Sequence, residues 1–354
     1  MDESALVYNT ATLIGVVATL LQPSSFLLDK FFPNIIEFET EEVAVDVEIG
    51  KRRLAPYVSP LVPGKVVEGR RLQTNLFKPA YVKPKTPLDP RRPIRRAIGE
   101  RIGGEMSPIE REQANVQFEL EDHQQMHTRR GEWAAAQALQ NGSVVISGDG
   151  FADTTVDFGR HASLTLALSG TAVWGHASHL DVNGLDTKPV TDVNTWCTTM
   201  LKVSGAVVTD MVFTPSAYNL FIQARDINGA KLYPVLNPGS GNAINPAVAP
   251  VQGAVYQGRW GNKDIWVYND WYVDPITDVE YPILDDGNLL LVSSQVQGTR
   301  SYGLIIDPEI GYPAMAIAPK SWTVPDPAQR FLMTQSAPIM VPFRPNASMR
   351  VKVA

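Results

Sequence analysis

Residues 51 to 101 read KRRLAPYVSPLVPGKVVEGRRLQTNLFKPAYVKPKTPLDPRRPIRRAIGER. This stretch holds fourteen Lys or Arg against three acidic residues, a net charge of +11. The other 303 residues hold 17 basic and 34 acidic groups, a net charge of −17. Eight of the 27 prolines also fall in this stretch, and each proline removes a backbone donor and disfavours helix at the preceding residue. We therefore expect an extended arm.

A two-stranded ribbon with few large apolar residues is at best marginally stable alone in water. The arm must lie on something acidic, either nucleic acid or the acidic remainder of a neighbouring copy, unless it is a solvated loop. We expect a neighbouring copy, because that contact requires no other molecule. The side chains expected to make it are Arg52, Arg53, Tyr57, Lys65, Arg70, Arg71, Lys78, Tyr81, Lys83, Lys85, Arg91, Arg92, Arg95 and Arg96.

The composition is that of an ordinary soluble globular protein, with 44% hydrophobic and 19% charged residues. A length of 354 residues suggests about two domains with a substantial core. Cys197 is the only cysteine, so no intrachain disulfide can form and nothing argues for export. The apolar run from Thr10 to Leu21 is too short to span a bilayer and lacks a preceding basic region. We expect it to pack on its own fold or a neighbour's, with no membrane partner.

A long helix is predicted to begin after Ser107. Ser107 is a suitable N-cap, Pro108 occupies the first helical position and Glu110 the capping-box position. No further proline occurs before Asn141 and Gly142, which form a stop signal. The predicted helix of about 33 residues is roughly 50 Å long at 1.5 Å per residue. Gly131 weakens it and is a candidate bend.

Strands are predicted on both sides of this helix. Val43 to Ile49 alternate apolar and polar residues and lead into the arm. Within the arm, Pro56 to Glu68 and Leu76 to Lys83 are predicted as outgoing and returning strands, with Glu68 to Asn75 as a polar tip. The remaining predictions are a hairpin from Val144–Ser147 to Thr154–Phe158, helices at Val190–Val203 and Ser216–Arg225, an exposed loop at Asn237–Pro250, and strands at Ile265–Tyr268, Leu289–Val292, Phe331–Met340 and Ser348–Val353.

No motif for catalysis, metal or cofactor is complete. His123 and His127 have the i, i+4 spacing of a zinc-protease helix, but Gln124 stands where that motif requires the general base Glu. No phosphate-binding loop, dinucleotide fingerprint or nucleophile elbow is present. Cys197 is interpreted as a small buried hydrophobe, and Asp285 and Asp286 as part of a turn. We expect no enzyme activity, no cofactor and no bound metal.

Five segments in order resemble the major capsid proteins of lambda-like tailed phages, the phage major capsid protein E family. The resemblance is strongest in the arm and the last 35 residues. The segments are YVSPLVPG (57–64), PAYVKPK (79–85), VDFGR (156–160), PKSW (319–322) and DPAQRFLMTQSAP (326–338).

This resemblance implies an α+β, Hong Kong 97-type phage capsid fold with an N-terminal arm, an extended β-loop, a peripheral domain with a long spine helix, and an axial domain. The implied divisions are residues 1–36 (N-terminal arm), 37–102 (strand and basic extended loop), 103–160 (peripheral domain with the spine helix), 161–318 (axial domain) and 319–354 (C-terminal strands returning to the peripheral domain, with a possible end in the axial domain). The implied function is structural, namely self-assembly into hexamers and pentamers of an icosahedral virion shell around double-stranded DNA. The implied partners are other copies of the chain, portal and scaffolding proteins, and weakly contacted DNA, with a decoration protein as a further candidate.

Two other classes stay open at the level of sequence. An encapsulin-like bacterial compartment shell has the same fold, and a β-rich tail or baseplate structural protein is a more distant alternative. The physical argument favours the DNA container, because many basic contacts on an inner wall would hinder packing and release of DNA. Confining the positive charge to one arm avoids that problem and gives complementarity between the arm and a neighbour.

Overall fold

The computed structural model describes residues 7–20, 23, 25–49, 54–67, 71–89, 91, 106–148, 150–224, 253–326 and 329–354. Within them, no helix is both long enough and apolar enough to cross a bilayer. The α-helices described are α1 (Thr10–Thr19), α2 (Phe26–Phe31), α3 (Pro108–Asn141), α4 (Pro189–Ser204) and α5 (Pro215–Ile222).

The strands form sheets and ribbons on both sides of α3 along the chain. They are β1 (Asn34–Glu37), β2 (Val43–Ile49), β3 (Arg71–Phe77), β4 (Lys85–Leu88), β5 (Ser143–Gly148), β6 (Phe151–Asp157), β7 (Thr165–Ala167), β8 (Asp210–Phe213), β9 (Ala254–Trp260), β10 (Lys263–Tyr268), β11 (Trp271–Val273), β12 (Glu280–Pro282), β13 (Asn288–Val292), β14 (Gly298–Tyr302), β15 (Ala318–Val324), β16 (Gln329–Gln335), β17 (Pro338–Pro342) and β18 (Ser348–Lys352).

A mixed six-stranded sheet forms the centre of the larger core, with strand order β7-β18-β13-β8-β10-β9. Every residue of β8 and β13 is buried, as expected for short apolar runs covered on both faces. Aromatic side chains join the sheet to α4 and α5. The Trp174 and Trp196 rings stack with centroids 5.7 Å apart, and the Phe213 and Phe221 centroids lie 4.9 Å apart.

The predicted long helix is confirmed with its caps. Helix α3 spans 34 residues, and Ser107 and Glu110 form a reciprocal capping box at its start. Glu110 accepts from the Ser107 backbone N–H at 2.6 Å, and the Ser107 hydroxyl accepts from the Glu110 N–H at 3.3 Å. The helix ends at Gly142, which adopts the left-handed conformation with φ 68°. Glycine suits this position because it has no Cβ to clash there.

Gly131 has a packing role in α3, and the helix continues through it. A Cβ at this position would lie 3.1 Å from Leu28 Cδ1 and 3.3 Å from Met340 Cε. The absence of a side chain therefore lets α2 and β17 approach the helix closely. The loss of helix propensity that a glycine brings, about 1 kcal/mol, is the cost of this close approach.

A second, smaller core lies between α1, the N-terminal half of α3 and a three-stranded sheet with order β15-β16-β4. Leu13, Leu120 and Leu332 are almost completely buried there. The Ser321 hydroxyl also donates to the Tyr8 carbonyl at 3.0 Å. The N-terminal apolar run therefore packs on its own chain in this structure, which decides between the two alternatives left open by the sequence.

The strand predicted at Phe331–Met340 was wrong as a single element. It is two strands, β16 and β17, that join different sheets and are separated by Ser336 and Ala337. Pro338 begins the second strand, which fits a residue with no backbone donor for a continuous ladder. Ser336 instead exchanges backbone hydrogen bonds with Val82 at 2.8 and 3.0 Å. The predicted helix at Ser216–Arg225 is present but ends at Ile222, and the predicted loop at Asn237–Pro250 lies outside the described residues.

A buried carboxylate joins three elements of the larger core. Glu132 of α3 accepts hydrogen bonds from the Leu27 and Leu28 backbone N–H groups of α2 at 2.8 and 2.9 Å. It also accepts one from the Tyr268 hydroxyl of β10 at 3.0 Å. Burial raises the pKa of Glu132 to about 7, while the three hydrogen bonds act in the opposite direction. The side chain has only 2% of its surface exposed, so its hydrogen-bond partners must come from the protein.

We predict that Glu132→Gln destabilises the chain by about 1–3 kcal/mol. Glutamine has one acceptor oxygen and one NH₂ group, so one of the three donors would face another donor and be left buried without a partner. The measurement is the midpoint of urea unfolding of the unassembled protein, followed by circular dichroism.

The matched control is Asp122→Asn, an exposed carboxyl-to-amide change on the same helix, for which the midpoint should stay near that of the wild type. A second comparison is Tyr268→Phe, which removes a single donor to Glu132 and should cost less than the glutamine variant. A Glu132→Gln protein as stable as the wild type would show that this carboxylate does not hold the three elements together.

Candidate assembly interface

The arm begins as an isolated two-stranded antiparallel ribbon. Strand β2 pairs with β3 from Val43↔Phe77 at its root to Ile49↔Arg71 at its far end. Val43 is fully buried in the larger core, and Phe77 packs against that core. The ribbon is thus anchored to the larger core at this root, which provides the packing that a lone hairpin lacks in water.

The predicted division of the arm was partly wrong. The strand at Val43–Ile49 is confirmed, but residues 54–67 form no strand, and β3 covers residues that were assigned to a polar tip. Pro56, Pro60 and Pro63 explain the first difference, because proline cannot donate to a ladder. The second difference arises because the sequence RLQTNLF is largely polar and did not indicate a strand. It forms one by pairing with β2, which lies more than twenty residues away in the chain.

Residues 54–67, here called the apolar loop, expose large hydrophobic side chains. Leu54, Leu61 and Val66 have 95%, 95% and 97% of their surface exposed, and Tyr57 is fully exposed. The single charged residue in the loop is Lys65, which is also exposed. Clustered exposed apolar side chains of this kind mark contact surfaces in soluble proteins. The predicted contact residues of the arm were charged or aromatic and did not include these leucines and valines. Their recurrence between prolines, with no pattern that would bury them, was the available signal.

The returning limb of the arm is fixed to the body by Tyr81. Its hydroxyl donates to the Leu304 carbonyl at 2.7 Å and accepts from the Ile306 N–H at 3.1 Å. The neighbouring Val82 forms a backbone bridge with Ser336. Tyr81 therefore has a structural role within the chain, at the root of the arm.

Three lysines at this root also contact their own chain. Lys78 forms an ion pair with Glu41, and this hydrogen bond raises the pKa of the exposed lysine. Lys83 lies 4.7 Å from the Tyr81 ring centroid, and Lys85 lies 4.0 Å from that of Phe331. Such cation–π contacts stabilise the position of a cation on an aromatic face.

The structure thus separates the predicted contact residues into groups. Tyr57 and Lys65 are exposed on the apolar loop, whereas Lys78, Tyr81, Lys83 and Lys85 have partners within the chain. Arg91 contacts Asp89 through its backbone N–H at 2.9 Å and its side chain at 3.4 Å. For Arg71 the backbone in β3 is described. The residues outside the described ranges are Arg52, Arg53, Arg70, Arg92, Arg95 and Arg96.

The two histidines of α3 face the three-stranded sheet. His123 Nε2 is hydrogen-bonded to the Thr86 hydroxyl and His127 Nε2 to the Thr334 hydroxyl, each at 2.8 Å. Burial lowers the pKa of both histidines, in His127 to about 4. Both side chains are buried, with 0% and 8% of their surface exposed. They are packed polar groups that join the helix to the sheet.

The other candidate chemical residues have structural environments. Cys197 packs against the larger core, and burial raises the pKa of its thiol. Asp286 is hydrogen-bonded to the Ser216 hydroxyl in a turn that ends at Gly287, where φ is 74°. In the part of the chain that the structure describes, no group of three or more His, Cys, Asp or Glu is placed to hold a metal ion. The exposed feature with the properties of a binding surface is therefore the arm with its apolar loop.

Comparison with known families and curated proteins covers nearly the whole chain. The model of phage major capsid protein E matches residues 9–353. The major capsid protein of Escherichia phage N15 is 32% identical over 353 residues, covering 98% of this chain and 99% of that protein. The major capsid protein of Escherichia phage lambda is 32% identical over 352 residues with the same coverage. The chain belongs to the phage major capsid protein E family.

Solved structures place this capsid protein in the expected fold. A crystal structure described as a prophage capsid protein of E. coli CFT073 superposes with a TM-score of 0.72 at 21% identity, covering 98% of this chain and 99% of that one. The capsid of Ralstonia phage GP4 superposes with a TM-score of 0.50 at 14% identity, covering 94% of this chain and 91% of that one. The α+β, Hong Kong 97-type fold implied by the five sequence segments is therefore confirmed. The family consists of structural capsid proteins, not of enzymes.

We predict that His127 contributes a loss of stability to the capsid protein as pH decreases from about 6.5 to about 4, whereas Glu132, with a folded pKa of about 7, contributes in the opposite direction over the same range. The pKa of His127 is near 6.5 when unfolded and about 4 in the folded chain. Between these values the unfolded chain binds more protons, so acid favours unfolding. At pH 5 this residue should have removed about 2 kcal/mol of the stability present at pH 7.5.

The measurement is the urea midpoint of the unassembled protein from pH 7.5 to 5, compared with His127→Gln. Glutamine can still hydrogen-bond to Thr334 but does not titrate, and Glu132 is the same in both proteins, so the stability of the variant relative to that of the wild type should rise by about 2 kcal/mol from pH 7.5 to pH 5. His176→Gln, a change at an exposed position, is the control and should keep the wild-type pH dependence. Equal slopes for the wild type and His127→Gln would show that this burial does not contribute to acid sensitivity.

Proposed function

We propose that this major capsid protein assembles into hexamers and pentamers of an icosahedral shell that encloses double-stranded DNA. The observation that carries the proposal is the apolar loop. Leucine, valine and tyrosine side chains of the loop are almost fully exposed, and the ribbon that precedes the loop packs on the larger core at its root. Burying such side chains contributes about 25 cal/mol per Å² of apolar surface removed from water, so a neighbouring copy that covers them stabilises the assembly.

The distribution of charge supports a contact between copies and a weak contact with DNA. The arm carries +11 and the remaining residues −17, so an arm laid on a neighbour brings opposite charges together. A body with excess negative charge does not grip packed DNA, whose tight binding would require many phosphate contacts from Lys and Arg. The predicted contact residues of the arm are proposed to bind the neighbour. Of these, Tyr57 and Lys65 are exposed on the apolar loop.

The helices and sheets support the proposed division of the subunit into a peripheral and an axial domain. We assign α3 and the three-stranded sheet β15-β16-β4 to the peripheral domain, and the six-stranded sheet to the axial domain. The C-terminal strands serve both, because β15 and β16 lie in the first sheet and β18 in the second. Residues 319–354 would then tie the two domains together.

The further partners follow from the proposed container. A shell that is filled with DNA needs a portal, and one of defined size needs a scaffold, so portal and scaffolding proteins are proposed partners, with a decoration protein as an additional candidate. Assembly is proposed to occur in the host cytoplasm before the protein becomes part of the virion.

The test is assembly of purified protein without nucleic acid, at low and high salt, for the wild type and for the double variant Arg70→Glu, Arg71→Glu. The wild type should form shells that sediment far faster than single subunits. The variant should keep its circular dichroism, because charges that bind a neighbour contribute little to the stability of the unassembled subunit. It should fail to assemble at low salt, since like charges at an interface cost several kcal/mol, and recover partly as salt screens them.

The matched control is Lys202→Glu, Lys352→Glu, which makes the same change in charge at exposed positions outside the arm and should assemble normally. If variant shells at low salt match the wild type in size and yield, the arm does not bind a neighbour through charge. If they form normally, and variant shells assembled in a parallel reaction with DNA retain less of it than wild-type shells, the arm grips nucleic acid instead. A wild-type protein that stays as single subunits under all salt conditions, with or without a scaffold, would overturn the proposed self-assembly.

A further inference from the structure

The strands β11 and β12, with the turn between them, form an exposed β-hairpin, called here the acidic hairpin (residues 271–282). Its ladder pairs Trp271↔Pro282 and Val273↔Glu280. The Asp274 carboxylate closes the turn by accepting from the Ile276 and Thr277 N–H groups at 2.8 and 2.9 Å. The backbone geometry is therefore defined by the hairpin itself and does not depend on a partner.

The hairpin presents a row of uncovered apolar side chains. Tyr272 packs against the larger core, and its neighbours in the alternating pattern face away from it. The most exposed member is Ile276 at the turn, with 83% of its surface exposed. Trp271 and Val273, with 49% and 51% of their surface exposed, share the outward face of the ladder with Glu280, whereas Tyr281 pairs with Tyr272 on the opposite face, with ring centroids 6.0 Å apart. Trp271, Val273 and Ile276 therefore form an exposed apolar patch of the kind that marks contact surfaces.

This apolar row lies in the most one-sided acidic stretch of the body. Residues 264–299 contain seven Asp or Glu and no Lys or Arg. Within the hairpin, Asp278 and Glu280 are exposed beside the apolar row, and Asp270 directly precedes it. The surface therefore combines exposed hydrophobic groups with negative charge.

The apolar loop of the arm has the complementary combination. It exposes leucine, valine and tyrosine side chains, carries Lys65, and is flanked in sequence by Arg52 and Arg53 on one side and Arg70 and Arg71 on the other. Within one chain neither surface covers the other, since the side chains of both are exposed. The two surfaces have opposite charge, and both expose apolar side chains. Because neither covers the other within one chain, a contact between them requires a second copy.

We propose that the acidic hairpin of one copy is the docking surface for the apolar loop of the next copy. This inference rests on the proposed function and specifies which surface of the neighbour receives the arm. Complementary charge fixes the register of the contact, and burial of the two apolar rows supplies its affinity.

Another exposed surface also combines apolar and acidic residues, around Ile35 and Ile36 of β1 and the glutamates that follow. Its charges are partly used inside the chain, because Glu37 accepts from the Ala316 N–H at 3.0 Å and Glu41 pairs with Lys78. The acidic hairpin has Arg130 of α3 near Asp274, but Asp278 and Glu280 are exposed and form none of the ion pairs found among the described residues, so the hairpin is the better match. Ile35 therefore provides a control position in the experiment.

The test is crosslinking between copies in assembled shells, in a Cys197→Ser background. One chain, labelled with ¹⁵N, carries Leu61→Cys, and an unlabelled chain carries Ile276→Cys. The two are co-assembled and treated with a short bifunctional maleimide. This reagent can join cysteines over a range of separations, whereas a disulfide requires a narrow range of distances. Covalent dimers of one labelled and one unlabelled chain, identified by mass, are expected. A parallel co-assembly with Ile35→Cys in place of Ile276→Cys should give at least tenfold fewer.

A second measurement uses charge alone. Glu280→Lys should raise the concentration needed for assembly about tenfold at low salt, and high salt should reduce the effect. Asp153→Lys, a reversal at an exposed position on β6, should leave that concentration unchanged.

The outcomes separate this inference from the proposed function. Shells that form normally but crosslink through Ile35, or through neither position, would overturn the assignment of the hairpin and leave self-assembly intact. Normal assembly of Glu280→Lys together with absent crosslinks would show that the hairpin does not bind another copy of the chain and would leave it as a surface for a different protein. Failure of the unmodified protein to assemble would instead overturn the proposed function itself.

Discussion

The buried carboxylate of Glu132 is the constraint on which the arrangement of the larger core depends. A carboxyl group with 2% of its surface exposed is tolerated only if the protein replaces the hydrogen bonds of water. Leu27 and Leu28 supply two N–H groups and Tyr268 a hydroxyl. The N-terminal segment, the long helix and the six-stranded sheet can satisfy this carboxylate only in one relative position. Gly131, one residue before it, permits the close approach that these hydrogen bonds require.

The parts of the fold that could be predicted from the sequence are those determined locally. Ser107, Glu110 and Gly142 lie within a few residues of the ends of the long helix and predict where it begins and ends. The helix in the structure has the same limits. The arm shows the opposite case. Strand β3 is defined by its pairing with β2 across an insertion of more than twenty residues, and no local pattern contains that information. The Glu132 site was missed for the same reason, although a lone acid in the apolar turn GEWAAA was a usable signal.

The candidate interface was predicted in outline and corrected in detail. Net charge identified the arm, because charge is a property of composition and needs no structure. It did not distinguish Lys85, which lies on the Phe331 ring at the root of the arm, from Lys65, which is exposed on the loop. That distinction depends on three-dimensional contacts. Nor did charge reveal the apolar loop, where the larger share of the contact energy is expected from burial of hydrophobic surface.

A contact from the loop of one copy to a different surface of the next is head-to-tail, and such contacts either close into rings or continue as filaments. A rigid contact would fix one number of subunits per ring. The two-stranded ribbon packs on the larger core through Val43 and Phe77, and it pairs with no third strand among the described residues. A neighbour that binds the apolar loop therefore acts on the subunit through this ribbon and not through one of its larger sheets. In the proposed shell one sequence must form both five- and six-membered rings, so we expect the difference in angle between neighbours to be taken up at the ribbon, while the core around Glu132 keeps one arrangement.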